Sequence, residues 1–222
     1  MHLRTPAVLA TVAALSLGAT ACGSDESSSD SSAAASTKKA AEPVAQIDSL
    51  TGKSTAVTLD AGFVDALTQL KLTPSPLGDA SISKTGVASF PITGGNVKYY
   101  KPGSVSPYVQ GEIDHDGSGL QLEGGGKTVR LTDFVIDPGA SVLTGKVTVD
   151  GEVAAESAPL FFLDGRTLKP LEAKDDGTAV LEGTTVKFKD ESAELLNDTF
   201  GVDALEGGLV VGVAKITVNT GA

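Results

Sequence analysis

Ile113-Asp114-His115-Asp116-Gly117-Ser118-Gly119 is the densest run of chemistry-bearing side chains in the sequence. Asp114, Asp116 and Ser118 stand where a Ca²⁺ loop places its first three ligands, and Gly119 stands at its turn glycine. The bidentate acid that closes such a loop is replaced by Gly125, and no helical pattern flanks the run. The expectation is therefore a hairpin turn rich in Asp and Gly rather than a metal site. His115 shares strand parity with Val109, Gly111 and Ile113, which puts its ring at the rim of an apolar face as a hydrogen-bonded structural histidine. A catalytic triad would have to use it, yet there is no G-x-S-x-G elbow. Zinc would need further nitrogen or sulfur ligands, and only carboxylates remain. Tyr99, Tyr100 and Tyr108 bracket Lys101-Pro102-Gly103. They either line a binding site or pack an exposed edge.

Two glycine-lysine motifs carry no phosphate chemistry. Gly126-Lys127-Thr128 and Gly52-Lys53-Ser54 resemble the end of a phosphate loop, which requires a further glycine five positions upstream. Those positions hold Gln121 and Ile47, and strand-like residues follow both motifs. Both are read as turns. The 28 Asp and Glu offer too many pairs for a carboxylate hydrolase to be picked out by spacing. The expectation is a protein that is not an enzyme.

The elements that position these residues are mostly strands. From Pro43 onward, apolar runs alternate with turn signals: Asp116-Gly117, Gly124-Gly125-Gly126, Asp137-Pro138-Gly139, Asp150-Gly151, Asp164-Gly165 and Asp176-Gly177. That rhythm belongs to a β-sandwich or barrel. Residues 142–149 and 152–158 alternate with period two and should pair across Asp150-Gly151, with Leu143, Gly145, Val147, Val149, Val153 and Ala155 inward. Leu160-Phe161-Phe162-Leu163 suits a strand covered on both faces. Asp60 to Lys71 and Asp190 to Phe200 carry helical spacing instead. The first puts Phe63, Val64, Leu67 and Leu70 on one face, with Asp60 as N-cap and Pro74 and Pro76 beyond its end. In the second, Gly201 can supply the C-terminal cap. Each follows a short strand, which suggests a repeated strand-helix unit. Leu209 to Val218 should be a central strand. The fold class expected is all-β: a single sandwich- or barrel-like antiparallel domain of about ten to twelve strands with two short helices.

The first forty residues read as an address and a tether. Arg4 precedes the apolar stretch Ala7 to Ala21, which is too short for a bilayer span and suits a signal-peptide core. It ends Leu17-Gly18-Ala19-Thr20-Ala21-Cys22-Gly23-Ser24, which resembles a bacterial lipobox. In such sequences the cysteine receives the lipid and becomes the new N-terminus. Cys22 is the sole cysteine, so no internal disulfide framework is available. Ser24 to Glu42 is low-complexity, without aromatic or large aliphatic residues, and reads as a flexible tether spanning about 25 Å. The organisation expected is a lipoprotein signal peptide at 1–21, a lipidated cysteine and tether at 22–42, and a β-rich domain at 43–222. The membrane would be a partner through Cys22, and the place extracytoplasmic, on the cell envelope. A formal charge of −11 argues against nucleic acid as a partner.

From Phe90 to about Val218 the chain resembles the HtaA-type domain of haem-uptake proteins in Gram-positive envelopes. The residues that carry this are Phe90-Pro91, Gly111-Glu112-Ile113-Asp114-His115, Gly119-Leu120-Gln121-Leu122, Leu131-Thr132-Asp133, and Phe200 to Gly208. The resemblance implies an all-β domain with a short helix. It also implies haem or porphyrin binding, with His115 as the residue that matches the family's haem site. The iron-ligating tyrosine of that family would fall within Thr55 to Leu70, a segment that holds neither Tyr nor Trp. The first expectation is thus a lipid-anchored, non-enzymatic binding or surface module of the envelope, with no cofactor and an unidentified ligand. The alternatives are haem capture through His115 with Tyr99, Tyr100 or Tyr108, and a carboxylate hydrolase of envelope polymers.

Overall fold

The computed structural model describes residues 40–221. The signal segment, the Cys22 lipidation site and most of the tether lie outside the described residues. Strand β1 (Ala45–Ile47) leads to β2 (Lys53–Leu59) and helix α1 (Ala61–Gln69). Then come β3 (Thr73–Gly78), β4 (Ser81–Ile82), β5 (Val87–Pro91) and β6 (Gly94–Tyr99). The long strands follow: β7 (Val109–Gly124), β8 (Lys127–Asp137), β9 (Val142–Val149) and β10 (Glu152–Asp164). A 3₁₀ turn at Gly165–Thr167 precedes β11 (Glu172–Ala173), β12 (Thr178–Phe188), helix α2 (Asp190–Phe200) and β13 (Val210–Asn219).

One antiparallel sheet holds all of them, in the order β1-β6-β7-β8-β9-β10-β12-β13-β2-β5-β4, with β3 added to β7 and β11 to β12. The eleven strands of the main path curl into a half-barrel. The class is all-β as expected, as one curled sheet rather than two stacked ones. Bulges supply the curl, because an extra residue on one strand bends it and increases its twist. Register shifts fall between His115 and Gly119 on β7, Thr132 and Val135 on β8, and Glu182 and Thr184 on β12.

The two-residue hairpins form where Asp-Gly and Gly-Gly allow positive φ at both positions. Asp150 and Gly151 have φ of 50° and 91°, and Glu152 pairs with Val149. Gly125 and Gly126 do the same between β7 and β8, which makes the Gly126-Lys127-Thr128 motif a turn. Asp116-Gly117 does not. It is the bulge inside β7, where that strand leaves β6 and takes up β3. Positive φ at Gly117 serves a bulge as readily as a hairpin, so the residue pair alone does not distinguish them.

Helix α1 begins where the Asp60 carboxylate accepts the Gly62 N–H at 2.8 Å. Phe63 and Leu67 are buried, and Phe63 packs against Phe188; Val64 is 41% exposed, outside the expected face. Helix α2 has the expected bounds and ends on left-handed Gly201. β2-α1 and β12-α2 stand on either side of β13, which lies between β2 and β12 as a central strand. Two further expectations are corrected. Val153 is exposed, because the register shift between Val153 and Ala155 moves it off the inner face. Phe162 is 44% exposed, while Leu160, Phe161 and Leu163 are buried.

Candidate functional site

The β7 bulge drives His115 into the interior, where it is 1% exposed rather than at a rim. Its Nδ1 lies 3.1 Å from the Phe134 carbonyl on β8, and its Nε2 2.8 Å from the Thr55 hydroxyl on β2. A carbonyl can only accept, so Nδ1 carries the proton and Nε2 accepts from Thr55. Burial lowers the His115 pKa, against opposing effects of the Phe134 carbonyl and Asp116. The ring is neutral and both nitrogens are occupied. It borders an apolar cavity of about 50 Å³ walled by Phe90, Leu120, Phe134 and Leu143, with Phe90 and Phe134 edge-to-face at 5.2 Å.

The neighbours of His115 diverge instead of forming a calcium loop. Ser118 is buried and donates its hydroxyl to the His115 carbonyl at 3.1 Å. Asp116 faces out and exchanges hydrogen bonds with Thr93. Burial, with the nearby charge of Asp116, raises the Asp114 pKa. Among the described residues no group of three or more His, Cys, Asp or Glu side chains is placed to hold a metal ion.

The tyrosines belong elsewhere. Tyr99 at the end of β6 and Tyr108 just before β7 meet edge-to-face at 5.9 Å. Both line a second cavity of about 600 Å³. Tyr100 is not on its wall; its N–H donates to the Tyr108 carbonyl. Burial and the neighbouring Tyr99 raise the Tyr108 pKa, so that phenol stays protonated at neutral pH. His115 and the tyrosines thus line separate cavities, which share only Ile136, Leu163 and Ala214.

The large cavity has an apolar wall that includes Ile47, Val97, Phe162, Leu171, Leu181 and Ile216. Several of these are half-buried, so the space opens to solvent. Its volume falls in the ordinary range for small-molecule sites, about 300–1,000 Å³. Two charged residues line it, Asp164 and Arg166. Arg166 donates from Nε and Nη2 to Asp164, with the shortest contact 2.6 Å, and Lys187 donates to the same carboxylate at 2.8 Å. The hydrogen bonds from Arg166 and then Lys187 hold the Asp164 carboxyl well below the usual carboxylate range. In the sequence Asp164-Gly165 reads as a plain turn and Phe162 as part of a strand covered on both faces, and Arg166 belongs to no motif. A hint was present: Arg166 is one of three arginines, two residues after an aspartate.

No family model matches the chain, and no curated protein sequence matches it. Among solved structures it is similar to the C-terminal domain of HtaA from Corynebacterium glutamicum, with a TM-score of 0.55 at 13% identity, over 77% of this chain and 98% of that one. A domain-swapped dimer of a histidine-to-alanine variant of the same domain aligns with a TM-score of 0.44 at 12% identity, over 72% of this chain and 90% of that one. The first likeness is one of fold, and it agrees with the partial HtaA-type resemblance in the sequence.

Proposed function

We propose that this chain is a lipid-anchored, extracytoplasmic binding module that holds a small apolar ligand in the large cavity and performs no catalysis. The observation that carries this reading is the 600 Å³ apolar cavity opening beside Tyr99 and Tyr108. A cavity of that size left to water is costly in a small domain unless something fills it. Its wall holds one carboxylate, Asp164, which is already engaged by Arg166 and Lys187, so no acid pair for glycoside hydrolysis faces it. Among the described residues no helix is long and apolar enough to cross a membrane. What supports attachment is the lipobox-like sequence that ends at Cys22. Cys22→Ser should move the protein from the detergent phase to the aqueous phase, and equal partitioning of both forms would remove the anchor.

The HtaA-type resemblance carries a second reading, haem binding for iron acquisition. The fold likeness favours it. The ligand positions do not: His115 has both nitrogens engaged beside a space of about 50 Å³, and the tyrosines on the large cavity, Tyr99 and Tyr108, lie outside Thr55 to Leu70, where the resemblance would put the iron-ligating tyrosine. The two readings separate in one titration of residues 40–222. N-phenyl-1-naphthylamine, a neutral apolar fluorophore, should bind at one equivalent, and haemin should give no saturable Soret shift. A saturable shift lost in Tyr99→Phe or Tyr108→Phe would instead assign the cavity to haem.

A further inference from the structure

Resting on the reading that the large cavity is a binding site, we infer that its ligand is a single-chain anionic amphiphile, with the chain in the cavity and the head group at Arg166. The cavity wall is mostly apolar, with uncharged polar residues such as Gln46, Ser141 and Thr184 on it, and its one charged place is Asp164 with Arg166. Behind the wall, Lys187 pairs with Asp164 from β12, so the trio of Asp164, Arg166 and Lys187 carries one net positive charge, with Arg166 as its member on the cavity. That trio is a local positive group on a protein whose formal charge is −11. A neutral apolar ligand would gain nothing from that group, and a cationic one would be repelled by it.

The guanidinium is built to take a second acceptor. Its pair with Asp164 consumes the Nε–Nη2 side and leaves the Nη1 side for another oxygen, since guanidinium carries five N–H donors in a fixed fork. The Arg166 side chain is 81% exposed, whereas the Asp164 side chain that orients it is 8% exposed. Asp164 also accepts the Arg166 backbone N–H, which fixes the start of the 3₁₀ turn. The arginine is thus held at a defined angle on an otherwise open lip. A carboxylate or phosphate monoester fits it.

The volume sets the chain. At about 30 Å³ for each small group in a liquid, 600 Å³ holds on the order of 20 heavy atoms. That is one long alkyl chain rather than several. Each buried methylene should tighten binding roughly four-fold until the cavity is full.

The test is displacement of N-phenyl-1-naphthylamine below micellar concentrations. The competitors are dodecanoate, tetradecanoate and hexadecanoate, the matching alcohols and monoalkyl phosphates, and hexadecyltrimethylammonium. The expected result is affinity rising about four-fold per methylene, with the anions about three- to five-fold tighter than the alcohols and the ammonium weakest. Arg166→Gln should bring acid and alcohol together, and Arg166→Lys should restore part of the difference. A preference between carboxylate and phosphate assigns the head group. Leu181→Trp or Ile216→Trp, each at a half-buried wall position, should abolish displacement while the melting curve stays cooperative. If the fluorophore binds and both Trp variants block it, yet acid and alcohol compete equally, the amphiphile inference fails and the cavity reading stands. If the fluorophore does not bind, or ignores both Trp variants, the cavity reading fails with it.

Discussion

Two cavities share three residues of the same core and have opposite characters. Around His115 the sheet has closed. Phe90, Phe134, Leu120 and Leu143 fill the space to about 50 Å³, and the one polar side chain pair, His115 with Thr55, satisfies itself. Around Tyr99 and Tyr108 the same sheet leaves about 600 Å³ open, with a wall of half-buried aliphatic residues and a charged lip. The difference teaches where to look for function in this fold. The buried histidine that stands out in the sequence has both ring nitrogens hydrogen-bonded within the sheet. The open space lies beside Tyr99 and Tyr108, two of the candidate tyrosines of the sequence, and beside Arg166, which looked ordinary. Closure and opening also predict different energetics, since filled interiors respond to truncation and half-wet walls do not.

The largest expected effect breaks that comparison directly. Phe134→Ala should cost about 3–5 kcal/mol, because Phe134 is 3% exposed and its loss enlarges a void that cannot collapse. Ile216→Ala on the open wall should cost about 1 kcal/mol or less. Denaturant midpoints of the two variants would show it, and equal losses would mean the large cavity is not open. Next in size is Thr55→Val. It leaves Nε2 of a fully buried His115 without its donor, at about 1–3 kcal/mol by the same measurement.

The charged groups of the two regions should separate by pH. The His115 pKa in the fold lies below its unfolded value of about 6.5. Its neutral ring therefore contributes fully above that pH, and the contribution is lost as pH falls through the lower folded value. Asp164 is held below the usual carboxylate range, so its contribution is whole above about pH 4 and is lost only in stronger acid. Stability measured from pH 7 to pH 4 should decline in the wild type and decline less in His115→Gln. A decline unchanged in His115→Gln would show that the closed region does not hold a neutral ring. The smallest effect expected is Tyr108→Phe, within about 0.5 kcal/mol, since Tyr108 is half-buried at the cavity and its phenol is not tied into the core.

Local signals in the sequence were legible where local physics decides. Asp150-Gly151 made its hairpin, Asp190 to Phe200 made its helix, and Leu209 to Val218 ran through the centre of the sheet. The misses came from neighbours several strands away. Asp116-Gly117 carries the same positive-φ signal as a hairpin, and only the pairing of β7 first with β6 and then with β3 makes it a bulge. Val153 left the inner face because a bulge two residues on reset the alternation. At the site, His115 and the tyrosines were visible as residue types, but their separation into two cavities depends on how the sheet curls. Arg166 gave no periodic signal at all. It acquires its place from Asp164 and Lys187 across two strands.

The central claim is that binding belongs to the open cavity and not to the histidine. The direct measurement is a titration of N-phenyl-1-naphthylamine into wild type, Leu181→Trp and His115→Gln, each first checked for a cooperative melt. The expected result is saturation at one equivalent in wild type and His115→Gln, and no saturation in Leu181→Trp. Binding that survives Leu181→Trp and vanishes in His115→Gln would contradict the account.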